Sequence, residues 1–259
     1  MKVSIIGGGN MGCAIGYGAA QSADVTIINR RAERTAQIAA HCSEVKAVTS
    51  DYSSLTTADV VIFAVKPWDL PATIESIADI YGCFPLNDHQ CVVSVAAGIS
   101  LRTLQDMCGA NAFVYNVMPN IAAAVGESMT FVAAHRHDDF FDPLVVQLFS
   151  HIGRVEMIPE DKMAAAGALC SCGTAFAFRY IRASMEGGIE LGLKPQQALE
   201  GVLQTIKGAV ALLERGGAHP EAEIDKVTTA GGITIRGLNE MEHAGFTSAV
   251  IRGLKASCR

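Results

Sequence analysis

Short runs of apolar, β-branched and aromatic residues alternate with amphipathic stretches through the first 160 residues of the chain. The runs at 3–6, 25–28, 60–65, 92–95 and 113–117 have the length and composition of strands covered on both faces. Helix-compatible segments at 11–22, 31–41, 70–81 and 101–108 separate them. This alternation predicts an α/β fold with a doubly wound, mostly parallel sheet carrying helices on both faces. Two further strand-like runs, 129–133 and 154–157, flank a helical stretch at 141–151 and extend the sheet at one edge. Past Glu160 the strand signal stops. Segments 161–191, 195–214, 221–228, 234–243 and 246–256 all read as helix, with glycines between them. The chain therefore divides into an α/β half, 1–160, and an all-α half, 161–259. So short and apolar a set of helices cannot cover its own surface, which predicts a homodimer or higher homo-oligomer built through them.

The first strand runs straight into GGGNMG at 7–12. Gly7, Gly9 and Gly12 form a G-x-G-x-x-G frame between a strand and a helix that starts around Asn10 and Met11. Gly7 permits a sharp turn, Gly9 lets a pyrophosphate approach the backbone, and Gly12 lets the helix pack closely on the sheet. The frame predicts a dinucleotide site. The second strand ends in Asn29-Arg30-Arg31 and offers no carboxylate before Glu33. An acid there would take a ribose 2′-hydroxyl and repel a 2′-phosphate, whereas two arginines can clamp the phosphate. The cofactor is therefore expected to be NADPH, with NADH bound more weakly. Alternatively, one arginine only caps the next helix. Lys66-Pro67 ends another strand on the side where such sheets bind ligands; Lys66 can face phosphate, substrate or solvent. Ala97 and Gly98 allow close backbone approach to a nicotinamide ring.

Composition narrows the partners. Half the residues are hydrophobic and 18% are charged, yet no uninterrupted apolar run reaches the roughly 18 residues of a membrane span. A net charge of −6, with no Lys/Arg run interleaved with aromatics, argues against nucleic acid. The strand beginning at residue 2 leaves no room for a signal peptide, so a cytoplasmic location is expected. The eight cysteines lack regular spacing and read as reduced, mostly buried thiols. His135 and His137 beside Asp138 and Asp139 read as a polar loop rather than a metal site.

Together these motifs resemble the pyrroline-5-carboxylate reductase family, in order and over essentially the whole chain. GGGNMG at 7–12, NR at 29–30, AVKP at 64–67, VSVAAGIS at 93–100, VMPN at 117–120 and AGGITIRGL at 230–238 carry the resemblance. It implies a Rossmann domain followed by a helical domain that intertwines with its copy in a dimer, and a substrate site that includes helical-domain residues of the partner. It also implies cofactor contacts at Ala64, Val65, Lys66, Pro67 and Asn120. Thr229 and the N–H groups around Gly231, Gly232, Ile233 and Thr234 would hold the substrate carboxylate, with Thr234 bonded to the ring nitrogen. Glycines leading into a helix do leave free N–H donors suited to a carboxylate, although Thr228 and Thr229 can also be read as N-caps.

The implied reaction is hydride transfer from NADPH to the C=N carbon of a cyclic imino acid, 1-pyrroline-5-carboxylate giving proline. Such an imine is basic enough to need only proximity, a carboxylate anchor and a hydrogen bond at nitrogen. The departures lie near the substrate. An S-G-S-G-P-A-Y-like stretch is replaced by Cys170-Ser171-Cys172-Gly173-Thr174-Ala175-Phe176, Asn116 stands where the family has arginine, and Ala230 and Ile233 replace proline and threonine. They leave open a reductase of the same fold acting on another cyclic imino acid, or an NADP(H)-binding protein without catalysis. A 3-hydroxyacid dehydrogenase is disfavoured, because residues 170–180 contain neither the lysine nor the asparagine it requires.

Overall fold

The computed structural model describes residues 1–85, 87 and 89–258. It divides into two compact units, Met1–Ser171 and a second from Cys172 onward. In the first, strands β1 (Lys2–Ile6), β2 (Asp24–Asn29), β3 (Val45–Thr49), β4 (Val60–Phe63), β5 (Cys91–Ser94), β6 (Phe113–Met118), β7 (Ser128–Ala134) and β8 (Gly153–Met157) form one sheet in the order β3-β2-β1-β4-β5-β6-β7-β8. All neighbours are parallel except β6 and β7. Helices α1 (Asn10–Ala19), α2 (Ala32–His41), α3 (Leu70–Tyr81), α4 (Leu101–Cys108) and α5 (Phe141–Ser150) make the connections, except that 3-10 turns join β3 to β4 and β6 to β7.

Strand alternation feeds two apolar layers. Val3, Ile5, Ile27, Val93 and Tyr115 pack with Ile15 of α1 and Phe149 of α5 on one face. Ile6, Ile28, Val61 and Phe63 pack with Ile77 of α3 and Leu104 of α4 on the other. Each such side chain taken fully out of water contributes roughly 1.5–3 kcal/mol. Buried Gln90 donates to the carbonyls of Leu55 and Ala58, both at 2.6 Å, and so pins the turn before β4 to the start of β5.

Two elements differ from expectation. Strand β3 was not anticipated: it is the sheet edge, only Val45 of its five residues is buried, and so the continuous apolar signature of a central strand is absent. The helix expected over 161–191 is present and continuous but contains a π-turn at Gly167–Cys172 between α6 (Met163–Ala166) and α7 (Gly173–Glu190). A Cβ on Gly167 would lie 2.5 Å from Met118 Sδ, and Asn120 Nδ2 donates to the Cys170 carbonyl at 3.2 Å. These contacts also carry the first unit past the composition change at residue 160. By length and composition the helical stretch Glu160–Glu190 is apolar enough to cross a membrane, because alanine, cysteine, phenylalanine and other apolar residues raise its mean hydropathy without an unbroken apolar run. The cysteines correct another expectation. All eight are free, but only Cys13, Cys91 and Cys108 are buried.

The second unit contains α7, α8 (Pro195–Gly216), α9 (Pro220–Val227), α10 (Ile233–His243) and α11 (Phe246–Ser257). Proline at the first position starts α8, and Gly188 of α7 faces the Ala198 methyl, so small residues bring these two helices together. Ala198 is the one buried hydrophobic residue among those described in this unit, whereas Phe178, Leu212, Val227, Ile233 and Ile251 are more than half exposed. The unit has no closed core of its own.

Candidate active site

The glycine frame is a turn with three separate steric jobs. Gly7 has φ +115°, and a Cβ there would meet the Ala64 carbonyl oxygen at 2.6 Å. A Cβ on Gly12 would collide with the Gly7 carbonyl oxygen and approach Ala64 Cβ at 3.1 Å. Both positions are therefore fixed by packing of the turn against the end of β4. Gly9 differs: it is exposed, and a Cβ there meets no atom within 4 Å. Gly9 is the N-cap of α1 and supplies no side-chain bond to the helix. The first N–H groups of α1, at Asn10, Met11 and Gly12, thus lack a side-chain cap and have the positive end of the helix dipole behind them. Such an uncapped N-terminus favours an anion.

The turn after β2 lies beside it. Asn29 Nδ2 donates to the Arg31 carbonyl at 3.4 Å, and Arg31 occupies the N-cap position of α2 without capping it through its side chain. Arg30 pairs with Asp69 at 3.5 Å and is largely exposed. Arg34 belongs to none of the sequence motifs. Its Nε donates to the Gly8 carbonyl at 2.8 Å and its Nη2 approaches Cys13 Sγ at 3.4 Å, so a third cation leans on the glycine turn. A groove of about 730 Å³ runs from Asn10 past Tyr17, Arg34 and His41 to Val125, beside the turn rather than over it.

On the other side of β1, Ala64 and Val65 continue from β4, and Lys66 precedes the 3-10 turn Pro67–Asp69. Lys66 is exposed, with its ammonium 6.0 Å from the Trp68 ring centroid. Ala97 and Gly98, both exposed, follow β5. Buried Asn116 donates to the Ile99 carbonyl at 2.9 Å, so where the family carries a cation this chain has a neutral amide that fastens the Ala97-Gly98 turn. Asn120 is buried as well. Its Oδ1 accepts from Ala122 N at 2.9 Å, its Nδ2 donates to Cys170, and its backbone N–H donates to Ser128 Oγ. The Asn120 amide therefore shapes the turn Ile121–Val125 through its oxygen and ties it to the π-turn through its nitrogen. Burial pushes the nearby Cys170 thiol up, which keeps it protonated at neutral pH.

In the second unit, Thr229 O accepts from Gly232 N at 2.9 Å, closing a turn in which Gly231 has φ +72°. Gly232 is the N-cap of α10 and again brings no side-chain acceptor. Thr228 and Thr229 therefore do not cap α10; Thr228 Oγ1 bonds back to Ile224 and Asp225 of α9. Arg236 Nη2 donates to the Gly231 carbonyl at 3.0 Å and fixes the loop from within α10, a second residue that sequence reasoning passed over. Ile233 and Thr234, both exposed, open α10, with their N–H groups free of helical partners. The loop thus ends in a helix N-terminus with free N–H groups, flanked by the hydroxyls of Thr229 and Thr234.

His137 of the H-x-H pair hydrogen-bonds Asp142, whose other oxygen accepts from Tyr115. Among the described residues no group of three metal-ligating side chains converges.

The parallel sheet and its glycine turn define a Rossmann-type dinucleotide-binding unit, the class that carries nicotinamide oxidoreductases. Residues 2–98 match the family described as NADP oxidoreductase coenzyme F420-dependent, and residues 160–259 match that described as pyrroline-5-carboxylate reductase dimerisation. Pyrroline-5-carboxylate reductase 2 of Dictyostelium discoideum is 32% identical over 99% of this chain and 90% of that protein. Reductase 1 of the same organism is also 32% identical over 98% of this chain, which spans only 48% of that longer protein. A crystal structure of 1-pyrroline-5-carboxylate reductase from Streptococcus pyogenes superposes with a TM-score of 0.87 at 28% identity, covering 100% of this chain and 96% of that one. The chain belongs to the pyrroline-5-carboxylate reductase family.

Proposed function

We propose that this chain reduces 1-pyrroline-5-carboxylate to proline with NADPH. The observation that carries the reading is a pair of uncapped, glycine-led helix N-termini, one in each unit. That of α1 is open for a pyrophosphate and that of α10 is open for a carboxylate beside Thr234. NADPH, when bound, supplies the hydride. The N–H groups of Gly9, Asn10, Met11 and Gly12 hold its pyrophosphate against the α1 dipole, while Gly7 shapes the turn. Asn29, Arg30 and Arg31 take the ribose and its 2′-phosphate. Ala64, Val65, Lys66 and Pro67 would flank the cofactor, Ala97 and Gly98 would admit its nicotinamide end, and Asn120 holds the turn Ile121–Val125 through Ala122. Thr229 and the N–H groups of Gly231 and Ile233 anchor the substrate carboxylate, whereas the Gly232 N–H, expected from the resemblance to join them, is spent on the Thr229 carbonyl and only shapes the loop. Thr234 Oγ1 accepts from the protonated ring nitrogen and holds that proton in place while the carbon is reduced. We place the functional division at residue 160, with cofactor groups in 1–160 and substrate groups in 161–259. The exposed apolar helices fit homodimerisation in the cytoplasm with neither membrane nor nucleic acid as partner. The exposed Arg182–Glu186 pair on α7 suits a protein interface or water better than lipid.

With purified chain, NADPH oxidation should be fastest with 1-pyrroline-5-carboxylate among three substrates: that compound, its six-membered homologue and the 2-carboxylate isomer. The neutral Asn116 and the π-turn at Gly167–Cys172 favour one specific second reading, a different cyclic imino acid, and a faster rate with either relative would establish it. Arg30→Ala with Arg31→Ala should weaken NADPH about tenfold or more while changing NADH by less than about threefold, since charge-assisted phosphate bonds are lost and Asp69 is left unpaired. Equal loss for both cofactors in a binding titration contradicts the clamp.

A further inference from the structure

The chain has a single tryptophan, and it stands 75% exposed. Trp68 sits on the 3-10 turn Pro67–Asp69 at the carboxyl end of β4. Pro67 begins that turn and Asp69 N donates to the Lys66 carbonyl at 2.9 Å, so the indole is presented on a closed, proline-set turn. Its neighbour Asp69 reaches Arg30 at 3.5 Å. Strands β2 and β4 lie on either side of β1 in the sheet. The ion pair therefore crosses the end of β1, where the glycine turn begins, and draws the β4 turn toward β2.

A dinucleotide seated on the α1 N-terminus has its nicotinamide half directed to the Ala97-Gly98 turn after β5. The adenosine half must then leave on the β2 side. There the 2′-phosphate finds Arg30 and Arg31, and the base needs a flat apolar surface. The ring next to that rim is Trp68, flanked by the Lys66 ammonium at 6.0 Å, which favours an electron-rich, anionic ligand.

We infer that Trp68 is the stacking platform for the adenine ring of the cofactor. The inference rests on the reading of the first unit as an NADP(H) site and adds to it a residue that the motifs do not contain. An aromatic face holds a base without reading its edge, so Trp68 contributes equally to NADPH and NADH, unlike the arginines beside it.

The test uses adenosine 2′,5′-bisphosphate, which carries the adenine and the 2′-phosphate but no nicotinamide. Titrating it into the full chain should change the tryptophan emission saturably, and Trp68 is the only source of that signal. By calorimetry, Trp68→Ala should bind the bisphosphate about tenfold more weakly and Trp68→Phe within about threefold of the parent, because phenylalanine keeps a stacking face. Wild-type affinity in Trp68→Ala, or calorimetric binding that leaves the emission unchanged, overturns the platform and leaves the cofactor site standing. If the parent chain binds neither the bisphosphate nor NADPH, the cofactor reading itself fails, and the platform with it.

Discussion

Gly9→Val should abolish measurable NADPH binding, a loss of about 100-fold or more, while moving the thermal midpoint by less than about 2 °C. The two halves of that expectation have separate physical causes. Gly9 has φ −76° and ψ −173°, extended backbone that any residue adopts, and nothing of the protein stands within 4 Å of its missing Cβ. A valine there disturbs no packing. It does fill the opening in front of the α1 N-terminus, and it keeps an anion away from the N–H groups that would hold it. Gly12→Val is the informative contrast, since its side chain would strike the Gly7 carbonyl and Ala64 and so should destabilise the fold itself. Unfolding melts with NADPH titrations on both variants separate the glycine kept for a ligand from the one kept for packing. A Gly9→Val protein that binds NADPH normally removes the cradle from the account.

Thr234→Ala should lower kcat by at least about tenfold and leave NADPH affinity nearly unchanged, the loss expected for a hydrogen bond to a charged group. Thr234 lies in the first turn of α10 and is exposed, and alanine is the better helix former, so loss of structure does not explain a loss of rate. Thr234→Ser, which keeps the hydroxyl, should retain most of the turnover. Steady-state rates with varied imine and saturating NADPH measure this; wild-type kcat in Thr234→Ala excludes the residue from the chemistry.

What the sequence made legible follows from how local each feature is. Strand β4 is central and covered on both faces, and announces itself as the unbroken apolar run 60–65. Edge strand β3 is half wet and does not. The cradle was readable because a turn, a close approach and a tight helix contact each demand glycine at a fixed spacing. The π-turn was not readable, since it depends on Met118 and Asn120 of a distant segment meeting Gly167 and Cys170. Asn120 read as a cofactor contact by resemblance, and the structure adds that its amide is engaged with Ala122 and Cys170. Arg34 and Arg236 went unnoticed for a similar reason. A surface arginine folded onto glycine carbonyls looks, in sequence, like any other helix cation.

The central claim is hydride delivery to the imine carbon of 1-pyrroline-5-carboxylate. The most direct measurement is isotopic: NADPH deuterated at the transferable position of its nicotinamide ring, the purified chain and 1-pyrroline-5-carboxylate, with the product examined by NMR. The account predicts proline carrying one deuterium on the ring CH₂ bonded to nitrogen and none on the α-carbon. Unlabelled proline, label at the α-carbon, or no proline while NADPH remains bound would contradict it.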